Sequence, residues 1–183
     1  MILFAKNQTG LKNLYQLVTY SHTQTFHRKP RIPKSELMKH REGLLIGSAC
    51  EQGELFRAIV ENKPWGELCN IASFYDFLEV QPLGNNAFML RPSVRKGETV
   101  PPICKDEQGL IDFNKTVIKL GEKLNIPVCA TGDAHFLEEE QEPLRDIALA
   151  VRGNRFDHTK GPVYFKTSDE MLADFEWLDK DTA

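Results

Sequence analysis

Asp133 and His135 stand two residues apart, so in an extended segment their side chains project the same way and can clasp one ion. Carboxylate plus imidazole suits zinc, manganese or iron, and a nearby thiolate from Cys50 would tilt the choice toward zinc. The pair lies in Gly132-Asp133-Ala134-His135, just after the apolar run Val128–Thr131. Cys50 lies in Ser48-Ala49-Cys50-Glu51-Gln52-Gly53-Glu54, just after the run Leu44–Gly47. Each residue also has a plainer reading. Asp133 caps a turn, His135 is a surface histidine, and Cys50 is a small core residue at a strand end. Glu51 and Glu54 suit the first turn of the next helix, where the dipole favours acids. Glu79, within a strand, reads as a solvated or capping carboxylate more readily than as part of a site.

A second group carries charge rather than ligands. Arg28, Lys29, Arg31, Lys34, Lys39 and Arg41 are relieved by a single acid, Glu36, and Phe26 and histidines are interleaved. Such a stretch can track a phosphate backbone through Arg28, Lys29, Arg31 and Lys34, or be a solvated face. No Walker loop, GxGxxG, GxSxG, HExxH or Cys/His finger is present, and no nucleophilic triad assembles. Cys50, Cys69, Cys104 and Cys129 are widely spaced with no CxxC pair, so neither a zinc ribbon nor a disulfide framework is expected. Cys69, Cys104 and Cys129 read as packing or loop-surface residues.

Positioning these groups is the task of alternating elements. Ile2 to Lys6 reads as a strand end, and Thr9 as the cap of a helix bearing Leu11, Leu14, Leu17 and Val18. Residues 21–42 form a basic loop, extended by Pro30 and Pro33, with a short helix from Ser35 to about His40. Gly43–Gly47 reads as a strand buried on both faces. Helices follow over Glu54–Val60 and Pro64–Tyr75, then a strand over Phe77–Val80. Residues 84–106 form an irregular surface loop. Leu110, Phe113, Val117, Leu120 and Leu124 mark an amphipathic helix that ends before Pro127. Pro127–Thr131 is a third buried strand. A helix over about Pro143 to Arg152, a short Val163–Phe165 strand and a capped helix from Thr167 to Phe175 complete the chain.

Strand alternating with helix means parallel β/α units, whose function collects beyond the strand C-termini. The 183 residues suit one domain. About three convincing strands are too few for a closed barrel, which needs roughly eight strands and ~250 residues. Hydrophobic residues make up 41% and charged residues 27%, which is globular usage. The net charge of −3 excludes a generally basic nucleic-acid coat. No apolar run reaches the ~20 residues of a membrane span, and the first five residues are too short for a signal peptide. The expectation is a cytoplasmic protein in a reducing compartment, with no membrane partner.

Five stretches taken together carry a family resemblance. They are Asn7–Leu14, Gly43–Cys50, Phe74–Val80, Pro127–Leu137 and Val163–Leu172, in that order. The chain resembles, over nearly its whole length, the polymerase-and-histidinol-phosphatase (PHP) domain of C-family bacterial replicative DNA polymerases. Tyr75-Asp76, with Gly-Leu-Leu-Ile-Gly-Ser at 43–48, makes it more similar to the PolC type of low-GC Gram-positive bacteria than to the DnaE type. The resemblance implies an α/β fold, a distorted (β/α)7 barrel holding up to three metals at its strand ends. Matched residue by residue, the family's later ligands fall on Cys50, Asp133 and His135; Glu79 matches none. The early ligands, a His-x-His motif among them, have no counterpart, and the palm aspartates are absent.

The resemblance thus implies that residues 1–183 are the C-terminal portion of a PHP domain, following an inserted proofreading exonuclease. The parent would be a DNA-directed DNA polymerase with 3′–5′ exonuclease activity, using Mg for nucleotidyl transfer, with Zn or Mn in the complete PHP site. Expected partners are the rest of the polymerase chain (N-terminal PHP half, exonuclease and palm), DNA through the parent, and other replisome subunits. The isolated chain is expected to be inactive. The alternatives are a metal-dependent phosphoesterase or exonuclease of the PHP superfamily, or a purely structural interaction module.

Overall fold

The computed structural model describes residues 1–95, 98–151 and 161–178. Strand β1 (Ile2–Ala5) leads into helix α1 (Gln8–Thr23), and a loop leads to α2 (Lys34–Lys39) and β2 (Leu44–Gly47). Helices α3 (Glu54–Val60) and α4 (Trp65–Ala72) connect β2 to β3 (Leu78–Val80). A 3-10 helix (Leu83–Leu90) and the hairpin β4 (Ser93–Arg95) and β5 (Glu98–Val100) follow. Helix α5 (Glu107–Leu124) then returns the chain to β6 (Val128–Ala130), and α6 (Glu142–Val151) and α7 (Ser168–Asp174) close the order.

The layout across the sheet is β1, β2, β3, β6. β3 and β6 pair in parallel, Leu78 opposite Val128 and Val80 opposite Ala130. A parallel bridge from Gly47 to Phe77 joins β2 to the start of β3, and the Asp76 carboxylate accepts from the Ile46 N–H (2.8 Å). β1 runs antiparallel to β2, Leu3 opposite Ile46. An all-parallel arrangement was expected, and β1 departs from it as an antiparallel edge strand, a common finish to an otherwise parallel sheet. Among the described residues no barrel is closed.

One face of this sheet makes the core. Leu44, Ile46, Leu78 and Val80 are buried with Leu17 from α1, Leu55 and Ile59 from α3, Leu68 from α4, and Val117 and Leu120 from α5. A second cluster joins Phe56, Met89 and Leu110. Each such side chain contributes about 1.5–3 kcal/mol on burial. The opposite face is thinly covered. The Phe4 ring, 55% exposed, lies 6.1 Å from the Phe77 ring, and Cys129 is exposed.

Several expectations need correction. The cap of α1 is Asn7, whose Oδ1 accepts the Gly10 N–H at 2.9 Å; Thr9 already lies in the first turn. Helix α1 runs to Thr23, so the basic loop and short helix expected over 21–42 begin later, as a loop over 24–33 followed by α2. The irregular loop expected over 84–106 holds at 101–106 but not before it, where Leu83–Leu90 is a 3-10 helix and Ser93–Arg95 pairs with Glu98–Val100. The expected turn residues Asn85 and Asn86 are buried within the 3-10 helix, which Met89 anchors to the second cluster. β6 is not buried like β2, because β3 is the one strand it pairs with among the described residues and Cys129 and Ala130 are exposed. Val163–Phe165 supplies a single bridge, Phe136 to Tyr164, rather than a strand. The helix expected at about Pro143 to Arg152 is α6, with Arg152 outside the described residues.

Candidate metal centre

Two loops meet at the C-terminal ends of β2 and β6. Beyond Gly47 the chain turns sharply: Ala49 takes a left-handed conformation (φ 64°), and the Gly53 N–H donates to the Cys50 carbonyl (2.8 Å). Beyond Ala130, Thr131 extends the parallel pairing by donating its N–H to Val80 (3.0 Å), and Asp133 is then left-handed (φ 50°). Non-glycine residues in this region are strained, and such strain collects at functional sites.

These turns bring Cys50 and Asp133 together, with Glu51 as a third member. A thiol sulfur and one oxygen from each carboxylate all lie within 4.8 Å of one another. Glu51 is buried, Cys50 half-buried and Asp133 partly exposed. Burial pushes the Cys50 thiol up to about 11, against a hydrogen bond from the Gln52 backbone, and Glu51 and Asp133 raise it further. Cys50 is therefore protonated at neutral pH and is no activated nucleophile. A metal must displace its proton.

His135 is placed differently. The left-handed turn at Asp133 breaks the alternation that would have set the two side chains on one face, and the His135 ring is not part of the cluster. Its backbone N–H donates to Val163 (2.7 Å), and its Nδ1 lies 2.6 Å from the Asp133 carbonyl. A carbonyl only accepts, so Nδ1 carries the hydrogen and Nε2 keeps its lone pair. That is the usual arrangement of a metal-ligating imidazole. The donor set that the turns assemble is one thiol and two carboxylates, which suits a divalent ion, and the oriented His135 imidazole lies outside it.

Sequence reasoning missed two residues. Glu51 was assigned to the first turn of a helix, but α3 starts at Glu54 and Glu51 turns inward beside Cys50. Its adjacency to Cys50 ahead of Gly53 was the available signal. Glu79 was read as solvated or capping; it is 5% exposed, with Oε1 accepting from the Ala49 N–H (2.9 Å) and Oε2 from the Thr131 hydroxyl (3.1 Å). Asn85 also braces the second loop, donating from Nδ2 to the Gly132 carbonyl (2.8 Å).

The basic stretch divides. Arg28, Lys29 and Arg31 are exposed, whereas Lys34 pairs with Glu54 (2.5 Å) and lies 5.0 Å from the Phe74 ring centre. Lys39 pairs with Glu36 (2.9 Å), and Arg41 with Asp76 (3.1 Å). All four cysteines are free thiols.

Comparison with known proteins places these features. Residues 1–80 match the PHP domain family, a span that ends with β3 and includes Cys50 and Glu79. Nearly the whole chain is similar to proteins named DNA polymerase III PolC-type. Identity is 47% over 178 residues with the Clostridium perfringens protein and 45% over 186 residues with that of Bacillus subtilis, covering 97% and 99% of this chain. The Caldanaerobacter subterraneus relative is 45% identical over 181 residues. The chain spans 12% of the length of each.

Proposed function

From these matches we propose that the chain is the C-terminal portion of the PHP domain of a PolC-type replicative DNA polymerase alpha subunit, residues 1–183 forming part of a (β/α)7 barrel. The observation that carries the reading is the meeting of Cys50 and Asp133 beyond the ends of β2 and β6, within a chain similar along its length to PolC-type polymerases. The parent enzyme would add nucleotides to a DNA primer through palm carboxylates that lie elsewhere in the polymerase, with Mg. It would also proofread through its exonuclease. This portion would brace the polymerase core in the cytoplasm, alongside the N-terminal PHP half and other replisome subunits.

Cys50, Glu51 and Asp133 would hold a divalent ion, zinc or manganese, and His135, outside their cluster, would join as the further ligand that the family resemblance implies. When bound, such an ion supplies positive charge and Lewis acidity toward a phosphate group. The protein's own share is orientation. Glu51 and Asp133 provide hard oxygen donors, Cys50 releases a proton on binding, and the Asp133 carbonyl fixes the His135 tautomer. Arg28, Lys29 and Arg31 would contribute a sequence-independent contact to DNA.

The test is elemental analysis of the purified chain beside a C50A/D133A/H135A variant, with p-nitrophenyl phosphate hydrolysis assayed in parallel. The reading expects little metal in the wild type, less in the variant, and no turnover in either. Robust hydrolysis abolished in the variant would instead make the chain a metal-dependent phosphoesterase.

A further inference from the structure

We infer that Glu79 is a positioning residue, a clamp that sets the distance between the Cys50 loop and the Asp133 loop. The inference rests on the metal-site reading above and deepens it. Glu79 lies on β3, between the strands that deliver the two loops, and is not itself in the ligand cluster. Its side chain is bonded to both loops at once. Oε1 accepts from the Ala49 N–H, one residue from Cys50, and Oε2 accepts from the Thr131 hydroxyl, two residues from Asp133. Its own N–H donates to Ser48 Oγ (2.9 Å), which pins the first loop a second time.

The surroundings are cut to admit this side chain. A Cβ on Gly47 would stand 2.8 Å from Glu79 Oε1 and 2.3 Å from the Phe77 ring, so glycine is required there for the carboxylate to reach Ala49. Among the described residues no lysine, arginine or histidine lies within ion-pair distance of Glu79, so no salt bridge accounts for its burial. A buried carboxylate is unfavourable unless hydrogen bonds or an ion pair offset its lost hydration. Here they join two strained turns, Ala49 and Asp133, that β-sheet pairing alone does not connect. β2 and β6 are not neighbours; β3 separates them.

The experiment is amide hydrogen exchange of the full chain together with zinc binding, in wild type, Glu79→Ala, Glu79→Gln and Thr131→Val. Glutamine keeps both bonds, since its Oε1 accepts from Ala49 and its Nε2 donates to the Thr131 hydroxyl turned as acceptor. Glu79→Ala should speed exchange in residues 48–50 and 131–133 together, by about tenfold or more, and weaken zinc binding by about 10–100-fold. Glu79→Gln should restore both. Thr131→Val, which leaves the carboxylate in place, should loosen 131–133 while 48–50 stay protected, and it decides the matter if Glu79→Ala fails to fold. Exchange in 131–133 unchanged in either variant overturns the clamp, whatever zinc does. Coupled exchange without measurable zinc uptake in the wild-type chain leaves the clamp standing and assigns the ion to the complete PHP domain, whereas zinc uptake that Glu79→Ala leaves unchanged detaches the clamp from the metal site.

Discussion

Tyr75 shows how much a single buried group can cost. Its ring packs edge-on against Phe74 at 5.6 Å, and the residue is 4% exposed. Its hydroxyl has no hydrogen-bond partner among the described residues, an arrangement that costs about 1–3 kcal/mol. Burial, with Glu54 adding to it and Arg57 opposing, pushes the hydroxyl from 10.0 up to about 12. Because the folded value is the higher one, the stabilisation is complete below pH 10 and is lost as pH rises from there toward 12. Tyr75→Phe removes the orphaned oxygen and keeps the ring. It should raise stability in urea at pH 7 by about 1 kcal/mol and flatten the alkaline loss. A destabilised phenylalanine variant would mean that the hydroxyl has a partner in solution.

Among the elements, α5 does most to seat the site. Leu110, Val117 and Leu120 fall on one stripe, and Asn114 on the same side donates from Nδ2 to the Gln81 carbonyl (2.9 Å), just past Glu79. Asp106 caps its start, with Oδ1 accepting the Gly109 N–H at 3.1 Å. Asn125 ends it in the left-handed conformation (φ 53°), which lets Ile126 and Pro127 turn directly into β6. The helix therefore fixes where β3 ends and where β6 begins, and through β6 the loop that holds Asp133. Leu120, fully buried, should cost about 2–5 kcal/mol when changed to alanine. Chemical denaturation measures that loss; a cost under 1 kcal/mol would place the core elsewhere.

At the scale of the whole molecule, a helix-covered sheet face contrasts with a face on which Phe4 and Cys129 are open. Charge is unevenly spread as well: the net charge is −3, yet Arg28, Lys29 and Arg31 project from one loop. Binding to duplex DNA, followed as affinity against salt, should fall steeply in the wild type. An R28A/K29A/R31A variant should have a log–log slope shallower by about 2–3, at ~0.9 per phosphate contact. Lys34→Ala should leave the slope alone, because Lys34 is committed to Glu54. Equal slopes for wild type and triple variant would reduce the loop to a solvated face.

Periodicity and turn chemistry made most of the elements legible. The spacing of Leu110, Val117 and Leu120 marks α5, the Leu44–Gly47 run marks β2, and the bounds of α3 agree with those expected. These are local properties, set by which side chains recur on one face. The placement of Cys50 and Asp133 at strand ends was legible for the same reason, since each follows an apolar run. Tertiary structure alone decided that β1 is antiparallel, that β6 is left exposed, that Leu83–Leu90 winds into a 3-10 helix, and that Ser93–Arg95 pairs with Glu98–Val100. It also decided which groups meet. Glu51, Glu79 and Asp133 are separated by 28 and 54 residues in sequence, and only strand order and two left-handed turns bring them to one place. Distance along the chain carries no information about distance in space until the sheet is assembled.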